Sequence, residues 1–146
     1  MNSAFIDSNV IVRYFTGDVA AKELLDPVIH GIIKGFINAV VFSEVIYIAI
    51  RLITGKKAYE LKEDPSAIRN SINTLRDHIE FIRTYFSELE IDDEVKRIAI
   101  EVMEQYGLLP NDALIAATCK RYGIKRVITF DDDFKRIPWI ELITHR

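Results

Sequence analysis

Short apolar runs alternate with helix-like stretches from one end of the chain to the other, and this alternation limits the fold more than any other feature. "SAFIDSN" reads as a short buried strand ending near Asp7, with Asn9 placed to cap a helix through "VIVRYF". "AAKELLDPVIHGIIKG" is helical, interrupted or kinked near Pro27 and punctuated by Gly35. "FINAVV" is a second strand, after which Ser43 can cap "EVIYIAIRLITG", a helix stopped by Gly55. "ELEI", "RVITF" and "WIELIT" supply three more strands, and "DDEVKRIAIEVMEQYG" and "NDALIAATCKRYG" two more helices. Strands that are apolar throughout and separated by helices favour an α/β three-layer sandwich. The expected fold is a mostly parallel sheet of about five short strands with helices on both faces, because right-handed crossovers distribute them that way.

Residues 56–87 stand apart. Asp64-Pro65 is a helix start with Asp at the N-cap and Pro at the first helical position. Ile68, Ile72, Leu75, Ile79 and Ile82 then recur at three- and four-residue steps, and Phe81, Tyr85 and Phe86 widen the stripe. Part of a stripe this wide must pack on the sheet domain. The remainder, with Tyr59 and Leu61, is expected to meet a second copy across a two-fold axis. The 146 residues suit one domain, 1–146, with this helical segment as an insertion.

The totals exclude several classes. One cysteine, Cys119, forms no internal bridge, which favours a reducing, cytoplasmic setting. His30, His78 and His145 are far apart and lack zinc-ligand spacing. The N-terminus has no basic region and meets an acid at Asp7, unlike a signal peptide. No apolar run approaches the roughly 20 residues of a membrane span. A net charge of −3 excludes gripping nucleic acid by bulk charge alone, but not a nuclease whose acids gather at one site.

The acids have a pattern. In open parallel sheets, ligands bind at the carboxyl ends of the strands. Asp7 follows the first strand, Glu44 lies in the first turn after the second, and Asp131 follows the fourth, in "ITFDDDFKRIP". Topology is read here as sending Asp112, at a helix N-terminus before a strand, to the opposite edge. Each acid also has an ordinary structural reading. Asp7 suits a turn, Glu44 and Asp112 suit helix N-termini, and a run of three aspartates suits a solvated turn. Together, several carboxylates on one edge call for a hard divalent cation. Such a cation can activate water against a phosphodiester. No glycine-rich phosphate loop competes for the role.

"FIDSNVIVRYF", "SEVIYIAIR", "LPNDALIAATCKRYGI" and "VITFDDDF" resemble, in order and spacing, the acid-bearing segments of PIN-domain proteins, and length and plan resemble the small VapC-like toxins of prokaryotic toxin–antitoxin pairs. The resemblance covers nearly the whole chain. It implies a ribonuclease with Mg²⁺ or Mn²⁺ at four acids: Asp7, Glu44, Asp112 and Asp131. Asp133 joins or replaces Asp131 as a metal ligand, Asp132 faces solvent, and Ser8, Asn9 and Thr129 support the site. It brings Asp112 into the cluster where topology does not. It also implies an RNA substrate, an antitoxin partner and a helical clip near 56–87 that makes partner or dimer contacts. Arg13, Arg51 and Lys120 are candidate guides for the RNA backbone, although each alone suits an ordinary solvated charge.

Other readings have recognisable signatures. A PIN-type RNA-processing nuclease without an antitoxin would carry the same acids. A non-catalytic RNA- or protein-binding module on the same scaffold would have lost one. An aspartyl-phosphate phosphatase would place a second Asp two residues after the first, where this chain has Asn9.

Overall fold

A computed structural model of the chain describes residues 2–144. One five-stranded sheet has the order β3-β2-β1-β4-β5. Its strands are β1 (Ser3–Ile6), β2 (Lys34–Asn38), β3 (Phe86–Leu89), β4 (Arg126–Ile128) and β5 (Glu141–Ile143). Every neighbouring pair is parallel. The chain steps outward from β1 to β2 to β3, then crosses to β4 and steps the other way to β5. The order therefore reverses between β1 and β4, and their carboxyl ends flank the crevice where open α/β sheets bind ligands.

Between β1 and β2 lie α1 (Ser8–Phe15) and α2 (Val19–Ile29); between β2 and β3 lie α3 (Ala39–Thr54), α4 (Ala58–Lys62) and α5 (Pro65–Tyr85). The helices α6 (Asp93–Tyr106) and α7 (Pro110–Tyr122) cross from β3 to β4. A short 3₁₀ turn, Asp133–Arg136, precedes β5. Right-handed crossovers in opposite directions put the two helix groups on opposite faces. Phe5, Ile6, Ile37, Val127 and Ile128 are buried in the central strands, against Val10, Ile11, Leu25, Val41, Val95, Ile115 and Ala116 of the helices.

Several boundaries differ from the sequence reading for local reasons. Asp7, not Asn9, caps α1, accepting the Ser8 N–H at 2.8 Å. Asn38, not Ser43, caps α3, accepting the Val41 N–H at 3.1 Å, so "AVV" is helix rather than strand. β3 begins at Phe86, ahead of "ELEI". Pro27 sits inside α2, and the turn after that helix falls at Gly31, in the left-handed region. Gly35 lies within β2 instead. A Cβ there would stand 2.7 Å from Val28 and 3.1 Å from Phe86, so the close packing of α2 on the sheet requires glycine.

The segment after α3 starts as expected, with Asp64 accepting the Ala67 N–H and Pro65 opening α5. Leu75 and Ile82 of its stripe are buried, and Ile72 and Ile79 pack against a small second core of Ala49, Ile50, Leu61 and Leu75. Tyr59 and Ile68 remain exposed, as do Leu52 and Ile53 of α3. Cys119 is buried in the main core, while His145 lies outside the described residues. No helix among the described residues is long and apolar enough to cross a membrane.

Candidate active site

Asp7 lies at the end of β1 and is almost fully buried. Its backbone N–H continues the sheet ladder to the Ile128 carbonyl at 3.0 Å, which fixes its position relative to β4. One carboxylate oxygen accepts the Ser8 N–H, and the other accepts the Thr129 hydroxyl at 2.8 Å. Thr129, one residue beyond β4, is fully buried. Its Oγ1 in turn accepts the Asp131 N–H at 2.9 Å and the Asn9 side-chain amide at 3.4 Å. Asn9 Oδ1 accepts the Phe130 N–H at 3.2 Å. Ser8, Asn9 and Thr129, read from sequence as supporting residues, thus join the ends of β1 and β4 into one hydrogen-bonded unit.

Asp131, Asp133 and Asp112 converge above this unit. One carboxylate oxygen from each lies within 4.8 Å of the others. Asp131 Oδ1 accepts the Asp133 N–H at 2.9 Å, a local turn that brings the two side chains to the same side. Asp132 points away and pairs with Lys135 at 3.1 Å, with 79 % of its side chain exposed.

Asp112 corrects the topological expectation. It lies in the first turn of α7, on the same edge as the strand ends and not the opposite one. A helix that feeds a parallel strand must run antiparallel to it, so its C-terminus sits where the strand begins and its N-terminus at the carboxyl edge. α7 ends at Tyr122, a short turn before β4 begins at Arg126, and its first turn brings Asp112 within 4.8 Å of Asp131 and Asp133 beyond the end of β4. Glu44 lies in the second turn of α3 rather than the first, because that helix begins at Ala39. Its carboxylate accepts the Asn111 side-chain amide at 3.5 Å, which links α3 to the start of α7.

The electrostatics are those of crowded like charges. Burial, followed by repulsion from Asp7, Asp131, Glu44 and Asp133, pushes Asp112 up to about 7. Burial raises Asp7, opposed by its hydrogen bonds from Thr129 and Ser8 and reinforced by Asp131. Burial also raises Glu44, with Asp7 adding to the effect. Without a counter-charge, the cluster holds a proton near neutrality. The donors are all carboxylate oxygens, and those of Asp112, Asp131 and Asp133 are close enough to share one ion. A hard divalent cation fits this set on both charge and donor chemistry. Asp7 and Glu44 are not within that trio and join the site through its field.

Of the basic residues singled out, Arg13 touches a neighbour of the cluster, Phe130, which directly precedes Asp131. The Arg13 guanidinium lies 3.9 Å from the centre of the Phe130 ring and pairs with Asp18 at 2.7 Å. Arg51 and Lys120 sit near the far ends of α3 and α7, about 10 Å or more along the axis from Glu44 and Asp112. Two supporting residues escaped the sequence reading. Asn38 donates to Thr118 at 3.0 Å, tying the start of α3 to α7 inside the core, and Asn111 holds Glu44. Asn38 was recoverable as a strand-end Asn before an apolar helix; its partner, 80 residues away, was not.

A family model described as "PIN domain" matches residues 4–140. "Ribonuclease VapC2" of Methanocaldococcus jannaschii is 40% identical over 142 residues, covering 97% of this chain and 93% of that protein. "Ribonuclease VapC6" of the same organism is 36% identical over 148 residues, covering 97% of each. Among solved structures, a toxin–antitoxin complex from Klebsiella pneumoniae aligns with a TM-score of 0.68 at 20% identity, over 97% of this chain and 96% of that one. VapBC2 from Rickettsia felis, bound to a DNA fragment from its promoter, aligns with a TM-score of 0.68 at 17% identity, over 99% of both chains. At that identity the solved structures speak for the fold, whereas the family model and the two archaeal relatives speak for descent. The parallel sheet, the acids gathered at its switch point and these matches lead to one conclusion: the chain belongs to the PIN-domain family.

Proposed function

We propose that this protein is a metal-dependent endoribonuclease, the toxin of a toxin–antitoxin pair, hydrolysing RNA phosphodiester bonds at Asp7, Glu44, Asp112 and Asp131, with Asp133 as a further metal ligand. The observation that carries the reading is the convergence of Asp112, Asp131 and Asp133 within 4.8 Å beside buried Asp7. Its relatives' names supply the ribonuclease chemistry. Mg²⁺ or Mn²⁺ is the expected ion, since both take carboxylate and water oxygens. When bound, the ion would neutralise the crowded acids, activate water and stabilise the departing oxygen.

The chain's own residues do the rest. Asp112, Asp131 and Asp133 would hold the ion. Asp7, fixed by Ser8 and Thr129, sets the field at the floor of the site and cannot swing away. Glu44, held by Asn111, would accept a proton from an attacking water, a role its raised proton affinity supports. Catalysis of this kind is mostly positioning and electrostatics.

An antitoxin protein is the expected partner, because several structural neighbours are toxin–antitoxin complexes. A homodimer through exposed Leu52, Ile53, Tyr59 and Ile68 is proposed as the assembly, with α4 and α5 as the clip. Product chemistry tests the reaction. Attack by water leaves no 2′,3′-cyclic phosphate on single-stranded RNA fragments. A cyclic phosphate would mean attack by the ribose hydroxyl and would overturn this mechanism.

A further inference from the structure

Arg13 has no role in the site described so far, yet it is held unusually firmly for a surface arginine. Its Nε and Nη2 both reach the same oxygen of Asp18, each at 2.7 Å. Asp18 is itself fixed, because its other oxygen caps α2 by accepting the Ala20 and Ala21 N–H groups. One face of the guanidinium lies 3.9 Å from the Phe130 ring centre. Phe130 is anchored in turn by its N–H to Asn9 and sits directly before Asp131. Even so, 48 % of the Arg13 side chain is exposed. Among the described residues, Asp18 and Phe130 are the guanidinium's only hydrogen-bonding, ion-pair and ring partners, so no such partner takes the opposite planar face.

We propose that this outer face of Arg13 is a stacking platform for a nucleobase of the single-stranded RNA that enters the acidic site. The inference rests on the ribonuclease reading above and adds the subsite beside it. Single-stranded RNA is commonly held by stacking bases on aromatic rings and on guanidinium planes. The layered arrangement of ring, guanidinium and base extends a stack that the protein has already begun. Ion pairing with Asp18 makes Arg13 a poor phosphate clamp, since its charge is offset and its donors on that edge are used. It does not weaken the π-face. The platform is set by Asp18 and Phe130 and not by metal, so base recognition should persist when metal is removed.

The test is equilibrium binding by fluorescence anisotropy, in EDTA to prevent hydrolysis, with the full chain. Two labelled probes are compared: a single-stranded mixed-sequence oligoribonucleotide and one of equal length made abasic throughout. Stacking of one base predicts tighter binding of the base-bearing probe by about 5- to 100-fold. Arg13→Lys keeps the charge and can still pair with Asp18, but it has no planar face. It should weaken the base-bearing probe by several-fold, leave the abasic probe unchanged and so narrow the gap. Equal losses on both probes would show a phosphate contact and overturn the platform. So would wild-type protein that binds the two probes alike or binds neither. If Arg13→Lys misfolds, Arg13→Leu is read against the same two probes, and a gap between them as wide as in wild type would overturn the platform. A protein that prefers bases but cleaves no RNA with metal would refute the ribonuclease reading and keep the platform; one that cleaves but shows no base preference would do the reverse.

Discussion

The Thr129 hydroxyl donates to the Asp7 carboxylate at 2.8 Å while accepting the Asp131 N–H at 2.9 Å, so one buried side chain joins two acids that lie 124 residues apart. Thr129→Val keeps the shape but leaves Asp7 Oδ2 and the Asp131 N–H without this partner. It should cost about 1–3 kcal/mol of stability. RNA cleavage should fall by about 10- to 100-fold, as for lost supports of metal ligands. Thr129→Ser should restore most of both. Equal activity of the Val and Ser variants would show that the hydroxyl does not organise the site.

Asp112 makes metal-free stability depend on pH. Its folded value of about 7 lies above the ordinary 3.8, so the folded state binds the proton more tightly than the unfolded chain. Stability is therefore highest below about pH 4 as far as this group is concerned, and falls as pH rises towards 7. Raised values at Asp7 and Glu44 act in the same sense. Because Asp112 is only half-buried, the loss should be about 1–2 kcal/mol after screening. Urea unfolding in EDTA between pH 5 and 7.5 should show it, and Asp112→Asn should flatten the slope. A metal-free protein that gains stability over that range would contradict the crowding.

The three consecutive aspartates should separate by function. Asp131→Asn should lower single-turnover cleavage by about 10²- to 10³-fold, the scale for removing one electrostatic group from an active site. Asp133→Asn should cost less, and Asp132→Asn should change cleavage little, because that side chain pairs with Lys135 in solvent. A sensitive Asp132 would overturn the geometry of the turn.

Assembly is tested on α5. Light scattering at micromolar concentration should report a dimer. Ile68→Asp, at an exposed position, should shift it to a folded monomer, whereas Ile72→Asp should unfold the clip because Ile72 packs on the small second core. A wild-type monomer at that concentration would refute the dimer and leave the nuclease standing.

Much of the fold was legible because apolar strands alternating with helices have few solutions. Asp7 and Asp131 could be placed from strand ends alone. Asp112 was misplaced by topology because the sense of a helix before a strand was read backwards; the resemblance of "PNDALIAA" to the family segment recovered it. The cap of α3 was set five residues late, at Ser43 instead of Asn38, since "AVV" continues an apolar run whether it is strand or helix. Partners distant in sequence, such as Asn38 with Thr118, carry no local signal. Even the close pair Arg13 and Asp18 depends on a turn whose geometry the residue types do not specify.

The most direct test of the acidic site is a parallel titration with Mn²⁺ of thermal stability and of single-stranded RNA cleavage, in wild type and Asp112→Asn. Wild type should be inert in EDTA, and metal at about 100 times its dissociation constant should add about 2.7 kcal/mol. Cleavage should rise over the same concentrations, and Asp112→Asn should lose both responses while staying folded. Full cleavage in EDTA, or an Asp112→Asn protein that cleaves like wild type, would contradict a metal-dependent site built on these acids.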